Sequence, residues 1–102
     1  MYKHGKRDEN HKRIVNAARN LGCTVLDLGD VGGGCPDILV GFRGENVLVE
    51  IKDGSKFPSQ RYLTEDQKEF FRSWRGWVVK IESVVELVRM IDSIRKTKEV
   101  GA

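Results

Sequence analysis

Hydrophobic positions recur along this chain in two rhythms. Between residues 8 and 21, Ile14, Ala17, Ala18 and Leu21 fall on one helical face, Asp8 is a candidate cap and Gly22 a candidate stop. Thr24–Leu28 reads as a short strand. Residues 37–42 and 47–52 are aliphatic runs joined by Arg43-Gly44-Glu45-Asn46, the pattern of a β-hairpin. Helical spacing returns over residues 64–74, where Leu63, Phe70, Phe71 and Trp74 form an apolar stripe that Gly76 ends. Trp77, Val79 and Ile81 alternate as a strand. A last helix opens at Ser83, with Glu86 completing a capping box and Val84, Leu87, Val88, Ile91 and Ile94 as its buried stripe. Residues 1–6 read as a loose basic arm and residues 96–102 as a frayed tail. The order α-β-β-β-α-β-α predicts an α/β fold in a single domain over residues 1–102, with helices flanking a mixed four-stranded sheet.

Composition narrows the setting. A chain of 102 residues suits one small domain, which buries roughly two-thirds of its unfolded surface. A net charge of +3 is compatible with a polyanionic partner without establishing one. Cys23 and Cys35 form no CxxC pair and have no zinc-ligand neighbours in sequence, so two free thiols in a reducing compartment are expected. No apolar stretch reaches membrane-spanning length and the N-terminus lacks a signal-peptide core, so no membrane partner and a cytoplasmic location are expected.

The candidate chemistry lies in the hairpin. Glu50 and Lys52 interrupt the aliphatic run from Val47, and a buried charge without a partner is costly. Alternation turns both to the face opposite Val49 and Ile51. Pairing Phe42 with Val47, or Arg43 with Asn46, sets Asp37 opposite Lys52 on that face. Asp37 and Glu50 are then diagonal neighbours, with Cβ atoms roughly 7–8 Å apart. Two carboxylates at that separation can converge on a hard divalent cation, with the Ile51 carbonyl as a third ligand and Lys52 beside an activated water. A slip of one residue would send Asp37 to the other face. Taken alone, an ExK triplet is common, and charged strand residues usually face solvent.

Pro36-Asp37 followed by Glu50-Ile51-Lys52 resembles the PD-(D/E)XK motif of metal-dependent nucleases, whose restriction-endonuclease-like core has the order αβββαβ(α). The stretch GGGCPDILVGFRGENVLVEIKDGSK, followed by LTEDQ, is more narrowly similar to the VRR-NUC family in its compact stand-alone form, often found in phages and bacteria. The resemblance covers about residues 7–82. It implies a DNA phosphodiester hydrolase using Mg²⁺ or Mn²⁺. Asp37, Glu50 and the Ile51 carbonyl would be metal ligands, Lys52 the catalytic lysine and Gln67 an accompanying site residue. Stand-alone members resemble Holliday-junction resolvases, so a homodimer acting on branched DNA is expected.

Some positions stay open. Gln67 shares a helix face with Phe70, Phe71 and Trp74 and so aims at the sheet, yet Thr64-Glu65-Asp66-Gln67 is also a capping box. Such nucleases often carry an acidic residue on the first helix. Glu9 is one candidate metal ligand there, but Asn10 is the residue that aligns with Ile14 and faces inward. Lys6, Arg7 and Lys12 in the N-terminal region, with Lys56 and Arg61 after the lysine strand, are candidate DNA contacts of the phosphate-binding kind. The four glycines of residues 29–35 would let a phosphate backbone approach closely. Phe57, Tyr62 and Trp74 are candidates for a dimer contact. The rival expectations are a non-catalytic DNA-binding or partner-docking module on the same fold, and a restriction-like or RNA-directed nuclease.

Overall fold

The computed structural model of the protein describes residues 9–101, with side chains over residues 9–97. The arm of residues 1–6, Lys6 and Arg7 as DNA contacts, and the cap at Asp8 lie outside the described residues. The elements are α1 (Glu9–Asn20), β1 (Thr24–Asp27), β2 (Ile38–Phe42), β3 (Glu45–Ile51), a single 3₁₀ turn (Pro58–Gln60), α2 (Glu65–Ser73), β4 (Val78–Ile81) and α3 (Val84–Gly101). The four strands form one sheet in the order β1-β2-β3-β4. The first three are antiparallel and β4 runs parallel to β3, so the sheet is mixed, with α2 as the crossover.

Each boundary has a local cause. The helix α1 ends in a Schellman motif: Gly22 has φ 96°, its amide donates to the Arg19 carbonyl, and the Cys23 amide donates to the Ala18 carbonyl. At α2, both halves of the capping box form, Gln67 N–H to Thr64 Oγ1 and Thr64 N–H to Gln67 Oε1. At α3, Ser83 Oγ accepts from the Glu86 amide, but the Glu86 carboxylate reaches one residue further back, to the Glu82 amide at 2.7 Å. That helix extends to Gly101, past residue 96; lysine and glutamate in this stretch are good helix formers.

The hairpin corrects the expected register. Phe42 pairs with Glu45 and Ile38 with Val49. The loop is therefore the two residues Arg43-Gly44, with φ 51° and 84°. Positive φ at both positions is what a type I′ turn demands, and its twist matches that of the flanking strands. Relative to expectation β3 slides by two residues. An even shift preserves which face each side chain takes.

One face of the sheet carries Ile38, Val40, Phe42, Val47, Val49, Ile51 and Ile81. They pack with Ile14, Ala18 and Cys23 of the α1 region and with Leu87, Ile91 and Ile94 of α3. Leu21 and Val88, expected on these stripes, are exposed. The opposite face carries Leu39, Leu48 and Glu50, and the first turn of α2 reaches it through Gln67, although no residue of α2 is fully buried. Among the described residues, no helix is long and apolar enough to cross a membrane.

Candidate active site

The slide in register brings Asp37 directly across from Glu50 rather than from Lys52. Asp37 sits one residue before β2, just outside the paired ladder. There its Oδ2 accepts the Ile51 amide hydrogen at 2.8 Å, supplying the acceptor that the shorter strand no longer provides. Its own carbonyl accepts from the Leu28 amide at 2.8 Å, so backbone and side chain are both held. Pro36, fully buried, anchors the entry to this position. Amide and carbonyl of one strand residue point to the same side. The Ile51 carbonyl therefore aims toward β2 and Asp37, while the Lys52 amide, one residue on, donates to Ile81 of β4.

Glu50 is the deepest charged group in the site, 4% exposed. Its Oε2 accepts from Gln67 Nε2 at 3.0 Å and lies 3.6 Å from Lys52 Nζ. Its Oε1 is buried without a hydrogen-bond partner. Burial, then the charge of Asp37, pushes the carboxyl up to about 8, against the opposing pull of Lys52. A proton on this carboxyl can be shared with Asp37, whereas the ionised form leaves Oε1 unmatched. One ammonium does not compensate two carboxylates in a poorly hydrated position.

Gln67 does both things that its position allowed. Its Oε1 caps α2 and its Nε2 donates to Glu50. The helix cap and the carboxylate are thus held by one amide group. Gly34 accounts for the approach of α2: with φ 81°, it lies where a Cβ would collide with the Asp66 carbonyl. That close approach lets the first turn of α2 reach the sheet. Gly32 and Gly33 also have positive φ but face open space, so the packing requirement of the loop falls on Gly34.

The remaining candidates separate. Asn10 is buried on α1, on the core side. Its Nδ2 donates to the Lys52 carbonyl at 2.9 Å and to the Glu82 carbonyl at 3.1 Å, and its Oδ1 accepts from Arg13. It ties the ends of β3 and β4 together beneath Lys52. Glu9 does not join the acids: it is exposed, on a groove lined by Arg13, Asp53, Glu82 and Glu86. One residue along a helix is a rotation of 100°, so with Asn10 facing the sheet Glu9 turns to the side, onto this groove. Lys12 is exposed on α1, beside Asn16, Arg19 and Val25, with the sheet between it and Glu50. Arg61 is half-buried and pairs with Glu82 at 3.1 Å, while its carbonyl accepts from Lys80 Nζ. It pins the loop after β3 instead of offering its charge outward. Lys56 in the same loop is exposed.

Cys35 carries no functional signal of its own in the sequence, yet it borders the site. Its thiol is raised first by burial and then by the charges of Glu50 and Asp37. Adjacency to Pro36-Asp37 was the only available signal.

The donor set suits a hard cation. Asp37 and Glu50 offer carboxylate oxygens, one of them the unpartnered Oε1, and the Ile51 carbonyl points to the same place. No group of three His, Cys, Asp or Glu side chains gathers as a metal cage among the described residues. Two carboxylates, a carbonyl and waters match the way Mg²⁺ is held, with several waters kept, rather than a zinc cage. Compared with known proteins, the chain matches no family model, no curated protein and no solved structure.

Proposed function

We propose that the protein is a divalent-metal-dependent, structure-selective DNA endonuclease of the VRR-NUC type within the PD-(D/E)XK nucleases, using Mg²⁺ or Mn²⁺ and acting on branched DNA as a homodimer. The observation that carries the reading is Glu50. A buried carboxyl with an unpartnered oxygen, raised to about 8 and facing a second carboxylate, is costly unless a cation completes it.

An ion there would neutralise charge on a scissile phosphate and make a water easier to deprotonate. The rest of the work falls to the chain. Asp37 is oriented by the Ile51 amide and Glu50 by Gln67, so both acids are presented with little freedom left to lose. Lys52 Nζ, 3.6 Å from Glu50, is close enough to donate to the attacking water or to a phosphate oxygen as negative charge develops. The Asn10 clasp on the Lys52 carbonyl holds the backbone from which that side chain projects. Hydrolysis adds water across the P–O bond, leaving one strand end with a phosphate and the other with a hydroxyl. A twofold dimer would present two equivalent sites, as paired cuts at a branch require.

The test is a gel assay on four-way, forked, flapped, single-stranded and linear DNA, with Mg²⁺, Mn²⁺ or chelator, beside a solution mass. Metal-dependent cutting of a branched substrate is expected. Lys52→Ala and Asp37→Asn should each lower the rate by about 10²-fold or more while the thermal melt stays near wild type. Binding without cutting of any substrate would favour the non-catalytic module. Cutting by Lys52→Ala at the wild-type rate would remove the mechanism.

A further inference from the structure

The loop of residues 53–63 begins at Lys52 and ends at the helix that holds Gln67. Those two side chains are the partners of Glu50. Both ends of the loop are therefore tied to the candidate site. Between them stand two aromatic rings turned outward, Phe57 at 77% exposure and Tyr62 at 64%. Neither ring stacks on another ring or on a cation among the described residues.

The loop is nevertheless firmly held. Asp53 Oδ1 accepts from the amide and hydroxyl of Ser55. Pro58 opens the 3₁₀ turn, and the Gln60 amide donates to the Phe57 carbonyl at 2.8 Å. Arg61 clamps Glu82, and Lys80 donates to the Arg61 carbonyl. Arg61 is the polar side chain of the loop that turns inward; Ser55, Lys56, Ser59 and Gln60 are exposed, so the loop offers solvent two ring faces set among small polar groups, with exposed Lys56 beside the first. A pinned loop presenting aromatic faces next to a positive charge is the arrangement that stacks unpaired bases and follows their phosphates.

We infer that Phe57 and Tyr62 form a stacking platform for unpaired nucleotides next to the scissile phosphate. The preferred substrate is then DNA with single-stranded segments, such as forks and flaps, rather than a fully paired four-way junction. This deepens the nuclease reading and rests on it. Chain length allows it: Phe57 lies five positions after Lys52, and Tyr62 five positions before Gln67. A chain of that length spans at most about 17 Å, which is about five stacked bases at ~3.4 Å each. Bases in a paired helix have no free face to give the rings. Unpaired ones do, and stacking tolerates any sequence.

The experiment measures binding without cleavage, by fluorescence anisotropy in chelator, on a forked duplex with unpaired arms, a fully paired four-way junction and a blunt duplex. Wild type should prefer the fork. Phe57→Ala and Tyr62→Ala should each weaken fork binding about tenfold (about 1.4 kcal/mol) and leave blunt-duplex binding unchanged. Phe57→Trp should retain fork binding, while Phe57→Leu, which keeps apolar bulk without a ring face, should lose it. The inference is overturned if the junction binds as tightly as the fork, if Leu serves as well as Trp, or if losses are equal on fork and duplex. It is also overturned if the Ala variants turn a dimer into a monomer by sedimentation, since the rings would then be a contact between copies. Because no step needs catalysis, a protein that cuts nothing would refute the nuclease reading while leaving this comparison readable.

Discussion

The two faces of the sheet are built to opposite rules, although β3 contributes to both within five residues. Val47, Val49 and Ile51 enter a sealed apolar layer under α1 and α3. On the other side, Leu48 is covered but Glu50 is buried with an oxygen unmatched, Leu26 is exposed, and α2, which reaches the sheet through Gln67, has no fully buried residue. The first face supplies the stability. The second spends some of it, because a carboxyl desolvated without a full set of partners is strained in the ground state. The expense is concentrated where Asp37, Lys52 and Gln67 converge, which sets this patch apart from a solvated charged face and is why a cation is proposed there.

The largest effects should come from the sealed face. Ile14→Ala or Leu87→Ala removes a fully buried side chain and should cost about 2–5 kcal/mol in urea melts. Leu26→Ala on the other face should change stability by no more than about 0.5 kcal/mol. Comparable losses at Leu26 would mean that the second face is covered in solution, for example by a second copy of the chain.

Glu50→Gln should do the reverse of a core substitution, stabilising the metal-free protein while abolishing cleavage. The sign follows from linkage. In the folded state the carboxyl keeps its proton up to about 8, and the unfolded chain releases it near 4.5. Between those values the folded state binds more protons, so its stability falls as pH rises. The stabilising margin of Glu50→Gln over wild type should therefore be absent below about pH 4.5, grow through the window, and level off above about pH 8. Mg²⁺ should shrink the margin by binding the wild type only. Melts at several pH values with and without Mg²⁺ check this; a margin that does not vary with pH removes the assignment.

The smallest effect separates the two duties of Gln67. Gln67→Glu keeps an acceptor for the Thr64 amide but cannot donate to Glu50. The cap, whose loss costs about 1 kcal/mol, should survive, but a third carboxylate now faces Glu50, so the metal-free melt falls with rising pH and cleavage falls at least about tenfold. Gln67→Ala should lose both. If Gln67→Glu cuts like wild type, the amide serves only as a cap.

Much of this arrangement was legible in the chain. Alternation alone turns Glu50 and Lys52 to one face, and the odd sum of the paired positions brings Asp37 to the same face in either register. The direct opposition of Asp37 and Glu50 was not legible. It depends on Arg43 accepting φ 51°, a conformation uncommon for a residue with a Cβ and tolerated here because Gly44 follows it. Asn10 was recognised as inward-facing, but not as the clasp between the Lys52 and Glu82 carbonyls, which are brought together only by the parallel pairing of β3 and β4. In sequence, the glycine loop suggests room for a phosphate. Gly34 is instead required by a helix arriving from 32 residues further along, at Asp66. Arg61 looked like a free cation because its partner Glu82 is distant in sequence.

The sequence by itself determined the elements, the faces and the three charged residues that share one of them, because periodicity and alternation are local properties of a polypeptide. The tertiary structure decided which oxygens meet which donors: Asp37 on the Ile51 amide, Gln67 shared between cap and carboxylate, Glu50 left one partner short. Hydrogen bonds depend on tenths of an ångström between atoms far apart in the chain, and those distances exist only once the turn has set the register and α2 has come down on the sheet.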